Sequence, residues 1–245
     1  MIHYHGTPLG GPITDAVSFF SNRHAFVSFA SNSHLQHIAG VVSTFALDNG
    51  AFSFWKSGKT ADWAGYESFV KKWRHHPAFN FCVIPDVIEG TEKENDELIK
   101  QWPIASFCSA PVWHLHESIE RLVRLCSKFE RVCFGSSGEF SEIGTIEWSQ
   151  KIDEAFSAIS TGGKIETKIH GLRMLNPSVF RKLPFASCDS TNVARNVTNS
   201  KRWGGTYNPV TARVKALVLA DRIEAFQSSE FFEQADHTQK TIFEY

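Results

Sequence analysis

The sequence contains no paired cysteine motif and no apolar run long enough to cross a membrane. Its five cysteines, Cys82, Cys108, Cys126, Cys133 and Cys188, are odd in number and lack CxxC spacing, and they fall in or beside apolar runs. That argues against a disulfide framework and a cysteine-built zinc site, and leaves reduced core residues of a cytoplasmic protein. Neither sign of charge is in excess: 25 Lys and Arg face 26 Asp and Glu. A globally basic protein is therefore excluded, but a local basic face is not, since affinity for nucleic acid depends on where the cations lie. Proline-rich linkers, low-complexity tracts and internal repeats are also missing, so nothing marks a domain boundary. The opening MIHYHGTPLGG has neither the basic start nor the apolar core of a signal peptide, and a soluble intracellular protein is expected.

What is present suits one large folded domain. Hydrophobic residues make up 42% of the chain and aromatic residues 13%, enough for a sizeable core. Runs rich in β-branched and aromatic residues recur at 2–5, 26–29, 43–47, 80–84, 111–114, 131–134, 166–169 and 184–187, giving eight predicted strands. Helical spacing lies between several of them, as in Trp63, Tyr66, Phe69, Val70 and Trp73, or Ile119, Leu122, Val123 and Cys126. A further helix is expected around Thr211 to Phe226, packed on the outside. Alternating strands and helices imply a parallel sheet, and eight strands in 245 residues fit closure into a single-domain (β/α)8 TIM barrel.

In such a barrel the chemistry gathers where strands end at their C-terminal side, so the polar residues that follow apolar runs are the ones to weigh. They are His5, Asp48 in LDNGAF, Asp86 in VIPDVI, His114 and His116 in VWHLH, the FGSSGE turn, His170 in KIHGLR, and Asp189 in ASCDSTNVARN. A single Asp after a strand is commonly a helix N-cap; three at strand ends point beyond capping. Two carboxylates facing one anomeric carbon can perform retaining glycosyl transfer, one attacking and the other moving protons. Asp189 and Asp48 form the candidate catalytic pair. Asp86, set deeper, has the chemistry to accept the N1–H and exocyclic amine of guanine, a donor pair that disfavours adenine.

Taken in order, these motifs resemble the tRNA-guanine and archaeosine transglycosylases, and especially shortened phage-type relatives that place 7-deazaguanines in DNA. LDNGAF resembles the family's DSGGF segment, which implies acid/base or positioning work for Asp48 and base stacking for Phe52. The same resemblance assigns base recognition to Asp86 and His114, backbone contacts to Gly135 and Ser136, and the second face of the base to His170, in a sandwich with Phe52. CDSTNVARN is similar to the segment that carries the nucleophile, and so names Asp189. The sequence departs from the family pattern at Ala51, where a glycine is usual, at Arg173, where a small residue is usual, and in lacking the zinc-binding module. That module serves RNA docking in the tRNA enzymes, so its absence points to DNA. The resemblance thus implies a pentosyltransferase without a cofactor, with DNA and a 7-deazaguanine such as preQ0 as its two substrates, acting in the host cytoplasm if phage-encoded.

An enzyme acting on a base in DNA must extrude it or find it single-stranded, and aromatic residues such as Phe52 and Trp55 would then hold it. Candidate phosphate contacts are Lys56, Lys59, Arg195, Lys201 and Arg202; the Lys71, Lys72, Arg74, His75 and His76 cluster ends a helix, where the dipole itself favours cations. Two alternatives stand beside this reading. His3 and His5 form an HxH on the first strand which, with His114, His170 and Asp189, suits a metal-dependent amidohydrolase-like barrel. The other is a non-catalytic nucleic-acid-binding barrel.

Overall fold

The computed structural model describes residues 1–197 and 208–234. Its strands are β1 Ile2–Gly6, β2 His24–Ser28, β3 Thr44–Asp48 and β4 Phe79–Val83, then β5 in two stretches, Ser109–Ala110 and Val112–His114. β6 Arg131–Gly135, β7 Lys168–Gly171 and β8 Ser187–Ser190 complete the set. These barrel strands all pair in parallel, and β8 returns to β1, while Ser160–Thr161 and Lys164–Ile165 form a separate antiparallel pair. The first stretch of β5 pairs with β4 and the second with β6. Pro111, which has no N–H, divides the two stretches, yet its carbonyl accepts Cys133 N at 2.8 Å, so the ring of strands closes through it. The fold is a (β/α)8 barrel.

Period-two alternation sorts the strand residues between two cores. Tyr4, Phe26, Ala46, Phe81, Val83, Val112 and Cys133 fill the barrel, while Ala25, Val27, Phe45, Leu47, Trp113, Val132 and Phe134 face the helices. Asp48 therefore follows outward Leu47, His114 follows outward Trp113, His170 follows outward Ile169 and Asp189 follows outward Cys188, and all four side chains turn inward. His3 and His5 have the opposite parity because Tyr4 between them points in.

The outer layer follows from amphipathic segments with good caps. The Trp63–Trp73 helix starts at Asp62, whose carboxylate accepts Gly65 N at 2.8 Å, and it buries Tyr66 and Val70. Tyr66 then donates to both Leu47 O and Val83 O, at 3.1 and 2.7 Å, which ties the ends of β3 and β4 together beneath Asp48. The Ala212–Glu224 helix packs outside β1, as the sequence predicts: His5 Nε2 lies 2.8 Å from Glu224 Oε1, and Arg23 holds Glu224 and Asp221. Among the described residues, no helix is long and apolar enough to cross a membrane.

Three predicted strands begin two or three residues from the expected place, the second at His24 rather than at Phe26. The last runs from Ser187 to Ser190 rather than over 184–187, since the apolar Pro184–Phe185 segment packs beneath the barrel and the polar SCDS enters it. The seventh starts at Lys168 rather than at Glu166.

Candidate active site

The C-terminal mouth of the barrel gathers three carboxylates. Asp48 ends β3, and the turn after it is built from its own polar side chains: Gly50 N donates to Asp48 Oδ2 at 3.2 Å and Ala51 N to Asn49 Oδ1 at 2.8 Å. Gly50 takes φ +80°, a conformation open to glycine at little cost, and this starts the Ala51–Ser57 helix that carries Phe52. Asn49 also reaches sideways, donating to Ile84 O at 2.8 Å and to Asp86 Oδ1 at 2.7 Å. The other oxygen of Asp86 lies 2.9 Å from His114 Nε2. Both Asp86 oxygens are thus engaged by one partner each, and each retains a further lone pair for a ligand.

Burial above all, reinforced by the negative charges of Asp189 and Asp86 and opposed by its hydrogen bonds, pushes the Asp48 carboxyl up to about 7. Asp189 lies on β8, 6% exposed, with Oδ1 accepting Arg173 N at 2.9 Å and standing 3.4 Å from His170 Nε2. The arrangement therefore presents a proton-carrying carboxyl in Asp48, a carboxylate with a spare lone pair on each oxygen in Asp86, and in Asp189 a carboxylate held through one oxygen by a backbone amide and faced by an imidazole.

Arg173 spans this mouth. Its backbone holds Asp189 from a φ of +62°, unusual for a residue with a Cβ, and its guanidinium lies 4.7 Å over the Phe52 ring. The same guanidinium donates to Ser136 O at 3.0 Å and Ser141 O at 3.3 Å. The expected pairing of His170 with Phe52 is not what the structure places there. His170 is fully buried one layer down, stacked on Phe26 at 5.0 Å, because its β7 position pairs with Cys133 and Ser187 well inside the barrel. The partner on Phe52 is Arg173.

Gly135 ends β6 and Ser136 follows it, and both are already occupied. Gly135 O accepts Leu115 N at 3.0 Å, and a Cβ at this glycine would meet His114 Nδ1 at 2.8 Å, so the missing side chain makes room for the imidazole. Ser136 Oγ accepts Trp148 Nε1 at 2.8 Å. Lys56 and Lys59 are exposed at the end of the Phe52 helix, beside the half-exposed Trp55. Arg195 is exposed on the short helix after β8, near enough to Arg173 for their charges to repel. Lys201 and Arg202 lie outside the described residues. The Lys71 to His76 cluster leads into the start of β4, at the opposite end of the barrel from the carboxylates.

His3 and His5 point away from the mouth, to Phe226 O and Glu224, because of their strand parity. Among the described residues, no three His, Cys, Asp or Glu side chains come together as a set that could hold a metal ion. Two clefts, of about 340 and 210 Å³, open at the N-terminal end of the strands, around Lys168 and Phe185 and around Arg131 and Phe107. Neither touches the carboxylates, whose entrance is spanned by Arg173.

Sequence reasoning misses the support beneath Asp86 and His114. Glu117, 3% exposed, accepts His114 N at 2.8 Å and Asn95 Nδ2 at 3.1 Å, and it pairs with fully buried Arg121, which also binds Val112 O and Asp96. Asn95 in turn accepts Val87 N at 2.7 Å. One buried ion pair thus fixes the loops that follow β4 and β5. The i, i+4 spacing of Glu117 and Arg121 was visible, though not its burial. Glu117→Leu is expected to cost about 3–5 kcal/mol in chemical denaturation, because it leaves the buried guanidinium to the partly exposed Asp96 and strips His114 N of its acceptor. Adding Arg121→Met should recover much of that loss.

No family model and no curated protein matches the chain. Solved structures do. A mutant tryptophan synthase alpha-subunit from the hyperthermophile Pyrococcus furiosus is 11% identical, with a TM-score of 0.52 over 92% of this chain and 97% of that one. A structure from Aquifex aeolicus VF5 is 10% identical, with a TM-score of 0.54 over 93% of each chain. At such identities the likeness is one of fold, and it places the chain among (β/α)8 barrels.

Proposed function

We propose that this chain is a base-exchange transglycosylase that replaces guanine in DNA with a 7-deazaguanine through a covalent glycosyl-aspartate. The observation that supports it most is the convergence of Asp48, Asp86 and Asp189 at the barrel mouth in three different electrostatic settings.

In this scheme Asp189 Oδ2 attacks C1′ of deoxyguanosine, and the electrons of the C1′–N9 bond leave with guanine. Asp48, titrating near neutrality, gives the departing base its proton. Asp86 accepts the N1–H and amine of the base through its remaining lone pairs. The 7-deazaguanine then takes guanine's place, loses its ring proton to Asp48 and attacks C1′, releasing Asp189. Two inversions retain configuration, and the bond energy is held in the glycosyl ester, so no cofactor is called for. A flipped base stacking on Phe52 must displace the Arg173 guanidinium, exchanging a cation–π contact for base stacking on one ring. Lys56, Lys59 and Arg195 are the cations positioned to meet phosphates around the mouth.

The test is to supply labelled guanine or preQ0 with guanine-containing DNA and, separately, with tRNA. Label entering DNA is the expected result. Label entering tRNA alone would transfer the proposal to the other polymer, and incorporation into neither would overturn it.

A further inference from the structure

The floor of the site carries a hydrogen-bonded column that nothing in the scheme above uses. Arg131 enters the barrel from the base of β6, its guanidinium 4.3 Å over the Phe81 ring, with Nη1 3.1 Å from Ser187 Oγ and Nη2 3.3 Å from Asn80 Oδ1. Ser187 Oγ lies 2.8 Å from His170 Nδ1. His170 Nε2 points on to Asp189 Oδ1, 3.4 Å away, and has no hydrogen-bond partner at rest.

The directions along this column are fixed by what each group can do. A guanidinium only donates, so Ser187 Oγ accepts from Arg131. Were it to accept from His170 Nδ1–H as well, its own proton would lack an acceptor among the described residues, and Nε2 would turn a bare lone pair on the Asp189 carboxylate. Ser187 therefore donates to Nδ1. A neutral imidazole that accepts at Nδ1 carries its proton on Nε2. We propose that His170 is a positioning residue for Asp189, locked as its Nε2–H tautomer by Arg131 and Ser187, with that proton aimed at Asp189 Oδ1.

The charged or titratable groups around the ring include Asp189 from β8, Arg131 and the register partner Cys133 from β6, and Tyr4 from β1. Burial, with the Arg131 charge, lowers the His170 pKa against the raising effect of Asp189, in keeping with a neutral ring. The consequence for Asp189 is regiochemical. Oδ1 is held by Arg173 N and faced by His170 Nε2–H, which leaves Oδ2 as the oxygen able to form a bond. When a glycosyl ester on Oδ2 breaks, the C1′–O electron pair returns to the carboxylate, and both donors stand where the charge reappears.

This assignment rests on the base-exchange reading for its use but not for its existence, and the test separates the two. Long-range proton–nitrogen spectra of histidine-labelled full-length protein should show His170 neutral with its proton on Nε2. Ser187→Ala and Arg131→Met should each convert it to a mixture of tautomers, and slow label incorporation about tenfold to a hundredfold in kcat, the worth of a hydrogen bond to a charged group, with little change in KM. A wild-type His170 protonated on Nδ1, or doubly protonated at neutral pH, would overturn the proposal even if either variant fails to fold. Unchanged tautomer and rate in the variants would do the same. The expected tautomer in a protein that transfers no label would support the column and sink the base-exchange reading. Label transfer with the wrong tautomer would do the reverse.

Discussion

Replacing Asp189 with asparagine is expected to abolish base exchange, lowering label incorporation by about a thousandfold or more, the scale seen when a nucleophile is removed. The fold should survive. The contact that Asp189 makes at rest is to Arg173 N through Oδ1, and an asparagine oxygen accepts that N–H equally well. Covalent trapping gives the second readout: wild-type protein quenched in mid-reaction should carry a glycosyl ester, and Asp189→Asn should not. A third is electrostatic. The Asp189 charge is one of the forces raising the Asp48 carboxyl to about 7, so its removal should lower the Asp48 titration midpoint. Exchange within tenfold of wild type would dismiss Asp189 as the nucleophile, and an unmoved Asp48 midpoint would contradict the coupling between the two carboxylates.

Arg173 gives the site a resting state as well as a mechanism. A residue with a Cβ at φ +62° costs on the order of 1 kcal/mol relative to ordinary backbone. The surroundings that hold it there are the ones a substrate must disturb: Asp189 below, Phe52 beside, and the Ser136 and Ser141 carbonyls across the mouth. Arg195 already lies near enough for its charge to bear on the Arg173 guanidinium.

The barrel was legible in the sequence because its outward core is continuous: Phe45 and Leu47, Trp113, and Val132 and Phe134 mark their strands locally. Where the inward positions are polar the signal weakens. SCDS does not read as a strand, which is why the eighth was expected three residues early. Strand ends drew attention to Asp48, Asp86, His114 and Asp189, and inward parity is what brings Asp48, His114 and Asp189 to the mouth. Parity also decides what a sequence leaves ambiguous. HYH allows either Tyr4 or the two histidines to face in, and the choice is made by Phe26, Phe81 and His170 packing against Tyr4. The supporting contacts were hidden for another reason. Arg131 and Ser187 are 56 residues apart, and Asn49 and Asp86 are 37 apart, so neither pair leaves a local pattern.

Asp48→Asn is expected to make the protein more stable at pH 8 while removing its proton transfer. The wild-type carboxyl titrates at about 7 when folded, against the ordinary 3.8 for an unfolded chain. Between those values the folded state keeps a proton that the unfolded state has lost. The stability tied to that proton is fully present below about pH 4 and is lost as pH rises through about 7, at close to 1.4 kcal/mol per pH unit. Asparagine has no proton to lose and still accepts Gly50 N–H, so the advantage of the variant should grow from about pH 4, level off above 7 and reach at most about 4 kcal/mol. The buried histidines act in the opposite sense. Burial lowers the pKa of His170, so the unfolded chain takes up a proton below 6.5 that the folded chain refuses, and stability falls as the solution is acidified. Both proteins share that loss, so the difference between their unfolding free energies, measured in denaturant at pH 5 and pH 8, isolates Asp48. A difference that does not change with pH would mean that Asp48 ionises like an ordinary carboxyl and cannot carry the proton that departing guanine needs. A difference that rises, together with loss of label incorporation, would show that the mouth gives up stability to keep a carboxyl protonated near neutrality.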